Sequence, residues 1–155
     1  MYNWSESKYF KSSEFDSRDL PGSGVNMRPE FMKMLEFARE IAGIEFKINS
    51  GYRTISRNRS VGGRPNSAHL LGLAADISAK TEAQFTNILH ACILAGFDRI
   101  GIMETAIHVD CNPAQNPAMW SYDPDSEIQH RRTKIFKHAN DFYRFLKSKG
   151  FIVLT

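Results

Sequence analysis

The sequence predicts an α+β fold, on two observations. Residues 29–42, 81–93 and 133–146 repeat apolar side chains every three or four positions, as helices with one buried face do. Between them, residues 45–49, 73–78, 99–103 and 106–110 alternate apolar with polar residues, the period of short strands covered on one side. A chain of 155 residues suits one domain with one core, and residues 1–155 are read as a single domain.

In chain order, residues 1–26 form an N-terminal arm and loop, where aromatics alternate with Ser, Glu, Lys and Asp and end in Pro21-Gly-Ser-Gly24. Pro29 is placed to open a helix, Phe31, Met34, Leu35, Ala38, Ile41 and Ala42 give its buried stripe, and Gly43 stops it. The strand at 45–49 delivers Ser50-Gly-Tyr-Arg53 to a turn, followed by a loop with Arg57, Arg59 and Arg64 as a basic rim. Thr81 caps the second helix, whose apolar stripe runs through Phe85, Ile88, Leu89, Cys92 and Ile93 to a stop at Gly96. Residues 112–124, rich in Pro, Asn, Ser and Asp, read as a loop. A C-terminal helix and tail occupy 133–155, with Phe151–Leu154 packing as a strand and the basic residues of 130–138 on a solvated helix face.

Chemistry concentrates in Ser67-Ala-His-Leu-Leu-Gly-Leu-Ala-Ala-Asp76. Along a strand from Leu73 to Ser78, Asp76 points away from the face that carries Leu73, Ala75 and Ile77. Gly72 permits a bend that swings His69 over the Asp76 face. In Ile107-His-Val-Asp110, Ile107 and Val109 share one face while His108 and Asp110 share the other. His69, Asp76 and His108 thus make a candidate ligand set for one zinc ion, since zinc takes imidazole and carboxylate and three protein ligands leave a position open for catalysis.

Ser50-Gly-Tyr-Arg-Thr54, Asn58, Gly62-Gly63, the Ser-x-His-x-x-Gly-x-Ala-x-Asp run and the His-x-Asp strand resemble the zinc D-Ala-D-Ala carboxypeptidase family of peptidoglycan peptidases, which shares its fold with the hedgehog signalling domain. The resemblance covers roughly Tyr9 to Trp120, with Phe10 and Glu14-Phe15 at its start. It implies a hedgehog/DD-peptidase-like fold with a small, mainly antiparallel sheet and flanking helices, and His69, Asp76 and His108 as zinc ligands. It also implies a peptidoglycan stem peptide as substrate, with Arg53 and Ser67 at the substrate and Arg53 holding a carboxylate or carbonyl by its planar fork of donors. Trp120 is either a substrate wall or a core plug.

The catalytic base departs from the family pattern. Many relatives carry an acid three residues before the last histidine, where this chain has Thr105. If the strand extends back far enough, Glu104 shares a face with Ala106, His108 and Asp110, and it is the favoured base. Asp110 is the other candidate, or else it supports a ligand from behind.

Bulk properties bound the rest. Twenty basic against seventeen acidic residues give a net charge of +3, which suits an anionic wall polymer without requiring one. The arginine rim has no interleaved aromatics, so a nucleic-acid partner is not expected. Two cysteines make no disulfide framework. No apolar run approaches the length of a membrane span, and Met1–Ser13 lacks the apolar core of a secretion signal. The expectation is therefore a monomeric, endolysin-like zinc peptidase of phage or prophage, made in the cytoplasm, that reaches the wall by phage-mediated release or as a virion component. The alternative is a zinc-binding interaction module that has lost catalysis.

Overall fold

The computed structural model describes residues 1–122, 132–136, 139–148 and 150. Among these residues six strands form one sheet: β1 (Ile48–Ser50), β2 (Ala74–Ser78), β3 (Arg99–Ile102), β4 (Ala106–Asp110), β5 (Ala118–Tyr122) and β6 (Arg132–Phe136). Their order is β1-β2-β4-β3-β5-β6, antiparallel throughout except for β3 beside β5. The mixed helix and strand content and the mainly antiparallel sheet are those expected from the sequence.

Helices α1 (Pro29–Ala42) and α3 (Glu82–Leu94) pack together against the sheet. Pro29 opens α1, and Gly43 ends it in the left-handed conformation, donating its N–H to Arg39 O. Thr81 caps α3 by accepting from Gln84 N. Buried Phe31, Leu35 and Ala38 of α1 join Ile88, Leu89 and Cys92 of α3 and the paired strand residues Ala75/Val109 and Ile77/Ile107 in one core. Leucine, isoleucine and phenylalanine buried this fully contribute about 1.5–3 kcal/mol each.

The N-terminal arm consists of three 3₁₀ turns, at Trp4–Glu6, Ser12–Phe15 and Ser23–Asn26. Phe10 and Phe15 are buried, and Tyr52 N donates to Phe15 O at 2.9 Å, so the arm is built into the core beside the Ser50–Arg53 turn.

Three local expectations are corrected. The loop carrying Arg57 contains a short helix, α2 (Ile55–Ser60), because Thr54 caps it by accepting from Arg57 N. The stretch read as a loop at 112–124 contains β5, whose alternation at Ala118–Tyr122 is masked by the Pro- and Asn-rich turn before it. Residues 132–136, read as the start of the last helix, are strand β6, and α4 runs only from Ala139 to Ser148. Phe142 and Leu146 bury the inner face of α4, and Phe142 meets Phe136 edge to face. The tail strand expected at Phe151–Leu154 lies outside the described residues, as do His130 and Arg131. No helix among the described residues is long and apolar enough to cross a membrane.

Candidate metal centre

Asp76 on β2 lies directly opposite His108 on β4. The flanking pairs Ala75/Val109 and Ile77/Ile107 occupy the other face, so strand parity alone brings the two polar side chains together. His69 arrives from a 3₁₀ turn, Ala68–Leu71, capped by Ser67, whose hydroxyl accepts from His69 N at 3.4 Å. Gly72 then reverses the chain into β2. Its φ of 69° is left-handed, and a Cβ there would sit 2.2 Å from Asn26 O, so only glycine fits.

The three side chains are buried and converge. His69 Nε2 lies 3.3 Å from His108 Nδ1 and 3.3 Å from Asp76 Oδ1, and His108 Nδ1 lies 2.8 Å from Asp76 Oδ1. Each candidate ligand is held by its remaining polar atom. His69 Nδ1–H donates to Gly51 O at 2.7 Å, which fixes the tautomer because a carbonyl only accepts. His108 Nε2–H donates to Asp110 Oδ2 at 3.0 Å. Asp76 Oδ2 accepts from Arg53 Nη2 at 2.7 Å. The unclaimed atoms are two imidazole lone pairs and a carboxylate oxygen, and they face one another with only a proton or a cation able to join them.

This donor set fits zinc. A tetrahedron with bonds of ~2.0–2.1 Å has edges of roughly 3.3 Å, which two of the three separations match and the third approaches from below. Without a metal the charges adjust to each other. Burial opposes charge on Asp76, but His69 and His108 outweigh it and hold the carboxyl well below its usual range. Burial likewise opposes charge on His108, and hydrogen bonds to Asp110 and Asp76 overcome it, raising the imidazole to about 9. Burial lowers His69 despite Asp76.

Asp110 is engaged on both oxygens, accepting from His108 on one and from Arg99 Nε at 2.7 Å and Asn112 N at 3.1 Å on the other. That places it behind His108 as its support. Arg53 is buried, and its Nε donates to Ser50 Oγ at 2.9 Å while its Nη2 holds Asp76; it also lines the cleft. Trp120 is fully buried and stacks at a tilt on the His108 ring, 5.6 Å between centroids. It is the plug beneath the site, and Tyr122 is the aromatic residue lining the cleft. Glu104 does not extend β4, which begins at Ala106; it is exposed in the β3–β4 turn beside Thr105.

The cleft over the three ligands has a cavity of about 60 Å³ walled by Arg53, Arg64, Ser67, Met103, Gln115 and Tyr122. Asn58 shapes one wall, for its side-chain amide N–H donates to Arg64 O at 2.9 Å and its backbone carbonyl accepts from Gly63 N at 2.8 Å. A second, wider cavity of about 370 Å³ shares Arg53, Asp76 and Met103 with the cleft and is lined also by Arg18, Tyr52, Arg57 and Glu104. Sequence reasoning missed Arg99, Asn66, Gln115 and Tyr122. Arg99 carried a usable signal, a cation inside an otherwise apolar strand and in register with Asp110.

A buried His₂Asp donor set, with Asp76 and His108 on the sheet and His69 on the 3₁₀ turn before it, opening onto a cleft, is a donor set that a catalytic zinc site can use. Residues 8–112 match the family profile of peptidase M15, and the chain belongs to that family of zinc-dependent peptidases. No curated protein matches the sequence.

Proposed function

We propose that this protein is a zinc peptidase that hydrolyses an amide bond in peptidoglycan stem peptides, as a D-Ala-D-Ala carboxypeptidase or an endopeptidase. The observation that carries the reading is the convergence of His69 Nε2, Asp76 Oδ1 and His108 Nδ1, two of whose three separations equal a tetrahedral edge, with each side chain fixed from behind. Zinc held there supplies Lewis-acid polarisation of the scissile carbonyl and a water of lowered pKa.

The chain's own residues supply the remainder. Arg53 keeps Asp76 aimed, and its place on the cleft wall lets its guanidinium meet a substrate carboxylate or carbonyl. Ser67 lines the same wall. The wider cavity on the Asp76 side of the site would receive the rest of the peptide. Glu104 lines that cavity and makes no hydrogen bond or ion pair among the described residues, so its carboxylate is free to take a proton and pass it to the leaving amine. An endolysin-like role for a phage or prophage protein, reaching the wall by lysis or with the virion, completes the proposal.

A second reading, a zinc-binding module without catalysis, is favoured by Thr105 standing where many relatives carry the acid. Glu104→Gln separates the two. Wall hydrolysis by the wild type that disappears in Glu104→Gln, with stoichiometric zinc retained in both, supports the enzyme and this base. Zinc-loaded wild type that cleaves no wall preparation supports the module, and an active Glu104→Gln removes Glu104 from the mechanism.

A further inference from the structure

Arg99 is 3% exposed, deep in the sheet, yet all of its donor groups are directed to partners around the metal centre. Nε donates to Asp110 Oδ1 at 2.7 Å, Nη2 to Gln115 Oε1 at 2.7 Å, and Nη1 to Asn116 O. Its guanidinium lies over the Trp120 ring, 5.4 Å from the centroid. Gln115 in turn donates from Nε2 to Asn66 O at 3.0 Å, next to the Ser67–His69 turn. One cation therefore ties β3, β4, the turn after β4, and the segment that carries the first ligand.

Stability alone is a poor account of this arrangement. Buried ion pairs are commonly no more stabilising than apolar residues of the same volume, because desolvation of both charges cancels most of their attraction. What the pair adds here is direction. Asp110 has two oxygens, and Arg99 with Asn112 N holds one of them, so the other is presented to His108 Nε2. Trp120, pinned beneath Arg99, supports the face of the same imidazole. Both contacts limit rotation of His108 and keep Nδ1 aimed at the point where Asp76 and His69 converge.

We propose that Arg99 is a positioning residue of the metal centre: through Asp110 and Trp120 it sets the orientation of His108, and through Gln115 it joins that ligand to the segment carrying His69. The inference rests on the reading of His69, Asp76 and His108 as a zinc site. Outer partners of metal ligands typically contribute 10–100-fold to metal affinity.

The test uses the full chain with Arg99→Met, Arg99→Lys and Gln115→Ala. Zinc affinity is measured by competition with a chromophoric chelator, ligand geometry by the visible absorption of the cobalt(II)-loaded protein, and folding of the metal-free form by urea denaturation. Arg99→Met is expected to bind zinc about 10–100-fold more weakly, with an altered cobalt spectrum. Arg99→Lys should fall between it and the wild type, because an ammonium cannot reproduce the fork. A residue serving stability alone would leave the cobalt spectrum of the folded variant unchanged. Should Arg99→Met not fold, Gln115→Ala at its half-buried position decides, with a smaller loss in the same direction expected. Folded variants with wild-type affinity and spectrum would overturn the inference alone; a wild type that takes up no zinc would overturn the zinc reading as well.

Discussion

His108 Nδ1 lies 2.8 Å from Asp76 Oδ1, and the two residues are direct cross-strand partners on β4 and β2. Everything else at the centre arranges charge around that contact. Arg53 and Asp110 stand behind the two partners and His69 closes the triangle.

The contact makes the metal-free protein sensitive to pH. His108 is raised to about 9 from its ordinary 6.5, so its stabilising contribution is complete below pH 6.5 and is lost as pH rises through about 9. That contribution is on the order of 3 kcal/mol. His69 is lowered by burial, so the fold is penalised as pH drops below 6.5 and the unfolded imidazole takes up a proton. Asp76 is lowered well below 3.8, and its contribution is lost only in stronger acid. Metal-free stability should therefore peak near pH 6.5, measured by urea unfolding from pH 4 to 10. Zinc binding has the opposite slope on the alkaline side: His108 must release its Nδ1 proton, so affinity should rise roughly tenfold per pH unit until about pH 9. A metal-free protein that gains stability between pH 7 and 9 would contradict this charge assignment.

Arg53→Met leaves the Asp76 carboxylate buried without its guanidinium. The metal-free protein should lose about 1.5–3 kcal/mol, the scale of one hydrogen bond between charged groups, because His108 still faces the same carboxylate. Saturating zinc should restore a large part of that loss, since the metal binds only the folded state and brings positive charge to the same carboxylate. Denaturation curves with and without zinc check both halves. A variant as stable as the wild type without zinc would show that Asp76 does not depend on Arg53.

Gly72→Ala tests the bend that aims His69. Its left-handed φ and a Cβ only 2.2 Å from Asn26 O act together, whereas Gly43 is left-handed with nothing within 4 Å of its Cβ position. Gly43→Ala should cost about 1 kcal/mol and leave zinc affinity alone. Gly72→Ala should cost at least about 2 kcal/mol more and weaken zinc binding, because relieving the clash moves the turn that carries His69. Equal losses at the two positions would remove the close approach from the explanation.

Much of this centre was legible in the sequence because strand parity is a local rule. The alternation in Leu73–Ser78 and Ile107–Asp110 fixes which side chains share a face, and one glycine marks the bend before β2. Less accessible was anything set by what lies on the far side of the sheet. Trp120 reads equally as wall or plug until β5 is seen to run beside β3, and β5 itself is hidden by the Pro- and Asn-rich turn that precedes it. Glu104 shares parity with His108, but the chain turns at Met103–Thr105 before β4 begins, so parity does not carry through. A helix expected from Thr133 begins only at Ala139, because Thr133 and Ile135 fit a helical stripe as well as a strand and only pairing with β5 separates the periods.

The most direct test of the central claim is mass spectrometry of fragments released from purified peptidoglycan by the wild type and by His108→Ala, each with zinc and after chelation. The zinc-loaded wild type should release defined stem-peptide fragments, with none after chelation and none from His108→Ala under either condition; the fragment masses would identify the bond. Fragments that persist after complete zinc removal, or no release from any wall type by fully loaded protein, would contradict that claim.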